Sequence, residues 1–124
     1  MAFMISKGDA FWVYSGGLAE IIIASAGNDL YHPIQATILG GIGTFIAYKI
    51  HFWVERRFKI DDAVGAIAVH GYAGVAGLVL CGFVLWGHPS PVYEGYAAIN
   101  PLGQIGGAII MFGVLGFLPR YIIA

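Results

Sequence analysis

The run Ala-Val-Gly-Ala-Ile-Ala-Val-His-Gly-Tyr-Ala-Gly-Val-Ala-Gly-Leu-Val-Leu-Cys-Gly-Phe-Val-Leu-Trp-Gly, residues 63–87, holds no Asp, Glu, Lys or Arg in 25 positions. A helix needs roughly 20 predominantly apolar residues to cross a hydrocarbon core of about 30 Å, so this run is long enough to span a bilayer. Its apolar residues follow one another without the period-two alternation of a barrel strand, which predicts helix. Three further runs qualify. Residues 101–118 are uncharged up to Arg120; residues 34–54 are apolar until Lys49 and His51; residues 10–26 are interrupted by Glu20. The expected fold class is all-α: a polytopic membrane protein, one membrane domain over residues 1–124, with four transmembrane helices.

Composition agrees. Of 124 residues, 59% are hydrophobic and 10% charged, with a mean hydropathy of +0.80. A soluble domain carries about 25% charged residues. The net charge of −1 offers no basic field for nucleic acid, so none is expected as a partner. Cys81 is the single cysteine, which excludes an internal disulfide or a multi-cysteine metal cluster. No nucleophile–base set and no phosphate loop is present, so neither an enzyme nor a bound cofactor is expected. Met1–Asp9 lacks the pattern of a cleaved leader.

Loop charge sets the orientation. Lys7 precedes the first run; Lys49, Arg56, Arg57 and Lys59 cluster between the second and third; Arg120 closes the fourth. The other two connections, 27–33 and 88–100, carry Asp29 and Glu94 but no Lys or Arg. By the positive-inside rule both termini are expected in the cytoplasm, with a bacterial inner membrane as the expected location. Trp86, Tyr93 and Tyr96 flank the second outer connection, where aromatic rings favour headgroup depth.

Glycine is abundant inside the apolar runs, with Gly71, Gly74 and Gly77 at three-residue spacing. In lipid, small residues let helix backbones approach, so tight helix packing is the plain reading of that stripe. Polar residues at membrane depth say more. His70 is eight residues past Asp62, roughly 12 Å into the core by the helical rise. A neutral imidazole there could relay a proton, bind a small amine, or ligate a metal or tetrapyrrole; a bond to a neighbouring helix is the structural alternative. Glu20 is also near mid-depth, where a carboxylate needs a partner or a wet cavity. Depth alone allows it to meet His70. Asp61 and Asp62 read as N-terminal helix caps.

The run Lys59-Ile60-Asp61-Asp62-Ala63-Val64-Gly65-Ala66-Ile67-Ala68-Val69-His70-Gly71 and the glycines Gly74 and Gly77 resemble the late-helix signature of the ammonium transporter family. Ser15-Gly16-Gly17-Leu18-Ala19-Glu20 through Ser25-Ala26-Gly27 is similar to that family's preceding helix, and Gln104 before a Gly-rich helix resembles its last span. The resemblance implies a partial ammonium-transporter-like bundle, matching only the last four spans of an eleven-helix protomer that assembles as a trimer. It implies that His70 is the second of two pore-lining histidines and Asp62 a structural residue near the pore; Glu20, at similar depth, is expected near the pore as a structural residue as well. The first histidine, the aromatic gate and the recruitment site fall outside the matched spans. Glu20 stands where the family has a small residue, Ser15 where it has Asn, and Tyr72 follows the His-Gly pair.

Two functions stay open. In the first, the chain is a split transporter subunit that conducts ammonia or ammonium only when another chain supplies the missing helices. In the second, it is a non-transporting accessory subunit of a larger membrane complex, one that could contain a pigment or haem; His51 and His70 are its candidate tetrapyrrole ligands. Both readings require lipid and other membrane chains, or further copies of this one, as partners.

Overall fold

The structure, a computed structural model, describes residues 1–89 and 97–123. Tyr93, Glu94 and Tyr96 of the second outer connection lie outside the described residues. The described residues are helical and contain no strand. They divide into two compact units, Met1–Gly77 and Leu78–Ala124.

The first unit begins with a short helix, α1 (Ala2–Ser6), that the sequence did not announce. Lys7 and Gly8 both take positive φ, 56° and 86°, and turn the chain back on itself. Asp9 then caps α2 (Ala10–Ala24), its Oδ1 accepting the Trp12 amide at 3.1 Å. This satisfies one of the amides left without partners at a helix start. The fold-back lays Ala2 against Gly16, where any Cβ would collide with the Ala2 methyl. A 3-10 turn, Ser25–Gly27, ends the first ascent.

Helix α3 (Pro33–Phe58) starts with Pro33 in its first turn, a position that wastes no amide. His32 and Gln35 form a reciprocal cap: His32 Nδ1 accepts the Ile34 amide at 3.4 Å and Gln35 Oε1 accepts the His32 amide at 2.9 Å. Lys59, at φ 54°, ends the helix after Arg56 and Arg57 in its last turn, where cations meet the negative end of the helix dipole.

The run 63–87 becomes helical only at Ile67. It opens as a π-helical turn, Ile67–Tyr72, and continues as α4 (Ala73–Val84). Helices α2, α3 and the π-helical turn meet around Trp12, Ala19, Ala47 and Val69, with Phe11, Ile22 and Tyr48 packed alongside.

Ile23, fully buried, is where α2 meets both α3 and α4 closely. A Cβ added at Gly43 of α3 would fall 2.6 Å from Ile23 Cγ2, and one at Gly77 of α4 would fall 2.5 Å from the Ile23 carbonyl oxygen. Along the stripe the contacts differ. Gly74 has only an ordinary contact at 3.8 Å to Ile22 Cγ2, and a Cβ at Gly71 would meet nothing within 4 Å. Gly77→Ala is therefore expected to lower stability in detergent by about 1–3 kcal/mol, the range for overpacking against atoms that cannot retreat. Gly71→Ala should leave it nearly unchanged; equal effects would contradict this packing.

In the second unit the upper end of α4 approaches α5 (Pro101–Ile109) so closely that a Cβ at Gly82 would lie 2.8 Å from Pro101 Cα. Asn100 caps α5 by accepting the Gly103 amide at 2.8 Å, and Pro101 again occupies the first turn. The helix continues through a π-helical stretch, Ile110–Gly116, into α6 (Phe117–Ile123). Leu102, Ile109, Ile110, Leu115 and Ile122 on this path are all exposed. Exposed apolar rows of this length suit lipid or another membrane helix.

Three stretches among the described residues are helices both long and apolar enough to cross a membrane: Ala10–Gly27, Ile67–Val84 and Pro101–Ile123. The expected span 34–54 lies within α3, whose 26 residues rise about 39 Å. Gln35, Lys49, His51, Glu55, Arg56 and Arg57 dilute its apolar character, which keeps it out of those three.

Candidate functional site

His70 sits on the π-helical turn. Its sequence neighbour Val69 is buried in the core and Ala68 is fully buried, whereas His70 itself is exposed. The turn thus uses one side to pack on α2 and α3 and holds the imidazole on the other. π-helical turns widen a helix locally and recur at functional sites.

The turn is held by Asp62. Both carboxylate oxygens accept backbone amides, Oδ1 from Ile67 and Oδ2 from Ala68, each at 3.1 Å. Asp62 is 4% exposed, while Asp61 beside it is exposed and makes no such bond. Gly65, at φ 68°, supplies the left-handed step that brings the carboxylate back over the start of the turn.

Behind Asp62 lies His51, 7% exposed. Its Nδ1 is 3.6 Å from Asp62 Oδ2 and its Nε2 is 3.3 Å from Glu55 Oε1, one helical turn further along α3. The rings of Trp12, Phe52 and Phe11 surround it, with centroids at 5.0, 5.2 and 5.8 Å. Each nitrogen faces a carboxylate and the ring faces are covered, so His51 is not placed as a tetrapyrrole ligand. No group of three or more metal-ligating side chains occurs among the described residues.

Glu20 is half-buried, and its partner is Thr44 of α3. The Thr44 hydroxyl lies 3.0 Å from Glu20 Oε1 and 3.2 Å from the carbonyls of Gly16 and Gly40. No hydrogen bond or ion pair joins Glu20 to His70 among the described residues. The helical rise gives the two similar heights and leaves their directions open. The glutamate stem lies over Gly40, where an added Cβ would be 3.3 Å from Glu20 Cβ. The carboxylate also borders a cleft of about 920 Å³ between α2 and α3, shared with Met1, Gly17, Asn28, Thr37 and Gly41; His70 does not line it. The double-mutant cycle Glu20→Leu with Thr44→Val is expected to show a coupling of about 1 kcal/mol, while Glu20→Leu with His70→Ala adds simply. Additivity in the first pair would remove the bond.

Sequence reading missed the roles of His51 and Thr44. The spacing of His51 and Glu55, four residues apart on one helix, was a visible signal. Thr44 lies among the glycines Gly40, Gly41 and Gly43, a setting that signals small-residue packing and not a hydrogen bond.

The model of the Ammonium Transporter Family matches residues 4–119. The chain belongs to the ammonium transporter family. Among its relatives, ammonium transporter Amt2 of Archaeoglobus fulgidus is 33% identical over 111 residues, covering 90% of this chain and 22% of the relative. Ammonium transporter Amt2 of Methanocaldococcus jannaschii is 31% identical over 123 residues, 94% of this chain and 27% of the relative. The ammonium transporter of Aquifex aeolicus is 26% identical over 121 residues, 86% of this chain and 29% of the relative. No solved structure matches the chain. This member of the ammonium transporter family therefore spans less than a third of the length of these relatives. It is an all-helical, membrane-type stretch of that family, which is a family of transporters rather than enzymes.

Proposed function

We propose that this chain is a split ammonium transporter-like subunit, conducting ammonia or ammonium only when another chain supplies the missing helices. One observation carries the reading. His70 is exposed on a turn whose opposite side is packed into the chain's own core, so the imidazole is available to a surface that this chain does not itself provide. A pathway lined by imidazole and apolar walls would penalise the ion and pass the neutral amine, with the ring nitrogens handling the proton. In this reading His70 lines the pathway, Asp62 holds its turn, and Glu20 braces α2 on α3. No enzymatic reaction is part of it.

Purification in mild detergent tests the proposal. A copurifying chain with the family's earlier spans is expected. Unrelated pigment- or redox-binding chains would instead favour the second reading, a non-transporting accessory subunit. Glu20 is the observation on that side: its bond to Thr44 is a packing role at a position where the resemblance has a small residue.

The proposed topology has four crossings, with α3 as the second, and both termini in the cytoplasm. Its support is the absence of Lys and Arg from the connections 27–33 and 88–100. The relatives come from archaea as well as bacteria, so the bacterial inner membrane rests on no comparison and is part of the proposal. Introduced cysteines near Asp29 are expected to label from outside and those near Arg57 only after permeabilisation; outside labelling at Arg57 would overturn the topology.

A further inference from the structure

We infer that His51 is a positioning residue for His70, acting through Asp62. The inference rests on the split-transporter reading for its functional meaning, and on the following contacts for its substance.

Asp62 binds the Ile67 and Ala68 amides with its two oxygens. Those bonds fix the height of the carboxylate, but a carboxylate held only by two amides at a helix start can still rock about its own axis. His51 Nδ1, 3.6 Å from Asp62 Oδ2, is the charged or polar side chain on its far side. That nitrogen is fully buried and makes no hydrogen bond, so Asp62 is the group it has to face. A buried polar atom without a partner is costly, and an N–H directed at Asp62 relieves the cost.

The imidazole cannot turn away. Phe11 and Trp12 of α2 and Phe52 of α3 pack against it, and Glu55 Oε1 engages Nε2 at 3.3 Å. The ionisable groups facing His51 are Glu55 from its own helix and Asp62 from the following connection; α2 contributes only Phe11 and Trp12. A continuous path therefore runs from α3 through His51 and Asp62 to the first amides of the turn that carries His70. Sequence places His51 and His70 nineteen positions apart, and only the fold connects them.

Removing the Nδ1 donor should loosen the turn without unpacking the ring cluster. His51→Phe keeps an aromatic ring among Phe11, Trp12 and Phe52 and deletes the donor. His51→Asn returns a side-chain N–H close to the position of Nδ1. The experiment is hydrogen exchange at the Ile67 and Ala68 amides, read by NMR on the full chain in detergent, together with the nitrogen-15 signals of the His70 ring. In His51→Phe, exchange at those two amides is expected to rise about tenfold as the turn opens more often, and the His70 ring signals to split or broaden. Amides in the middle of α3 should not change. In His51→Asn both readouts should return to the wild-type pattern.

Unchanged exchange and a single set of His70 signals in His51→Phe would overturn the inference. So would an Asn variant indistinguishable from Phe, because that would mark the ring's bulk rather than its donor. Neither readout depends on transport. A His70→Ala variant that conducts normally in an assembled transporter would sink the split-transporter reading while leaving these two measurements to decide the role of His51.

Discussion

Cells without their own ammonium uptake that express this chain alone are expected to show no growth on low ammonium at acidic pH. Co-expression with a chain bearing the family's earlier spans is expected to restore it. On the proposed reading the reason is geometric: His70 is exposed, and the chain covers only 22% to 29% of relatives that match it. Nothing in the first unit closes over the imidazole, and the 920 Å³ cleft bordered by Glu20 lies elsewhere. An unenclosed histidine gives an ion no route through about 30 Å of hydrocarbon. In the co-expressed pair, His70→Ala is expected to cut uptake by about a hundredfold or more, the usual scale for losing a positioned proton-handling group. Growth by the chain alone that vanishes in His70→Ala would show instead that copies of this chain form a conduit among themselves.

Asp62→Ala is expected to cost about 3 kcal/mol of stability in detergent. Two amides at the start of the π-helical turn would lose their acceptors, and His51 would be left buried beside a cavity with Glu55 alone. Loss of a capping residue typically costs about 1 kcal/mol. Leaving a buried donor without its acceptor costs roughly 1–3 kcal/mol, and two amides lose theirs, so the amides decide the magnitude. Asp62→Asn retains one acceptor and should fall between. Asp61→Ala, at an exposed position, should stay within about 0.5 kcal/mol of wild type. Similar losses at both positions would show that the pair acts as general surface charge near Arg56, Arg57 and Lys59 rather than as a cap.

Helix content was legible where one physical cause dominates. Uncharged runs at 63–87 and 101–118 had to be buried in lipid or protein, and Pro33 and Pro101 marked helix starts because proline costs nothing in a first turn. Asp62 read correctly as a cap, whereas Asp61, expected to cap as well, is exposed and makes no such bond. Other features were hidden because they depend on lateral placement. The rise per residue gives depth, which left a Glu20–His70 meeting open; rotation about α2 turns Glu20 toward Gly40 and Thr44 instead. The fold-back of α1 hinges on two positive-φ residues, one of them Lys7, which carries no such preference in sequence. The π-helical turn was invisible for a similar reason: it is capped by Asp62, which reaches amides five and six residues ahead. Apolar periodicity does not record that reach. His51 looked like a free ligand because a histidine beside Lys49 and Arg56 reads as polar, whereas three aromatic rings bury it.

Photo-crosslinking from position 70 in native membranes tests the central claim most directly. A benzophenone amino acid replaces His70, which is exposed and makes no side-chain hydrogen bond among the described residues. The account predicts an adduct with a second protein chain that carries the family's earlier spans. Adducts formed with lipid alone would contradict it.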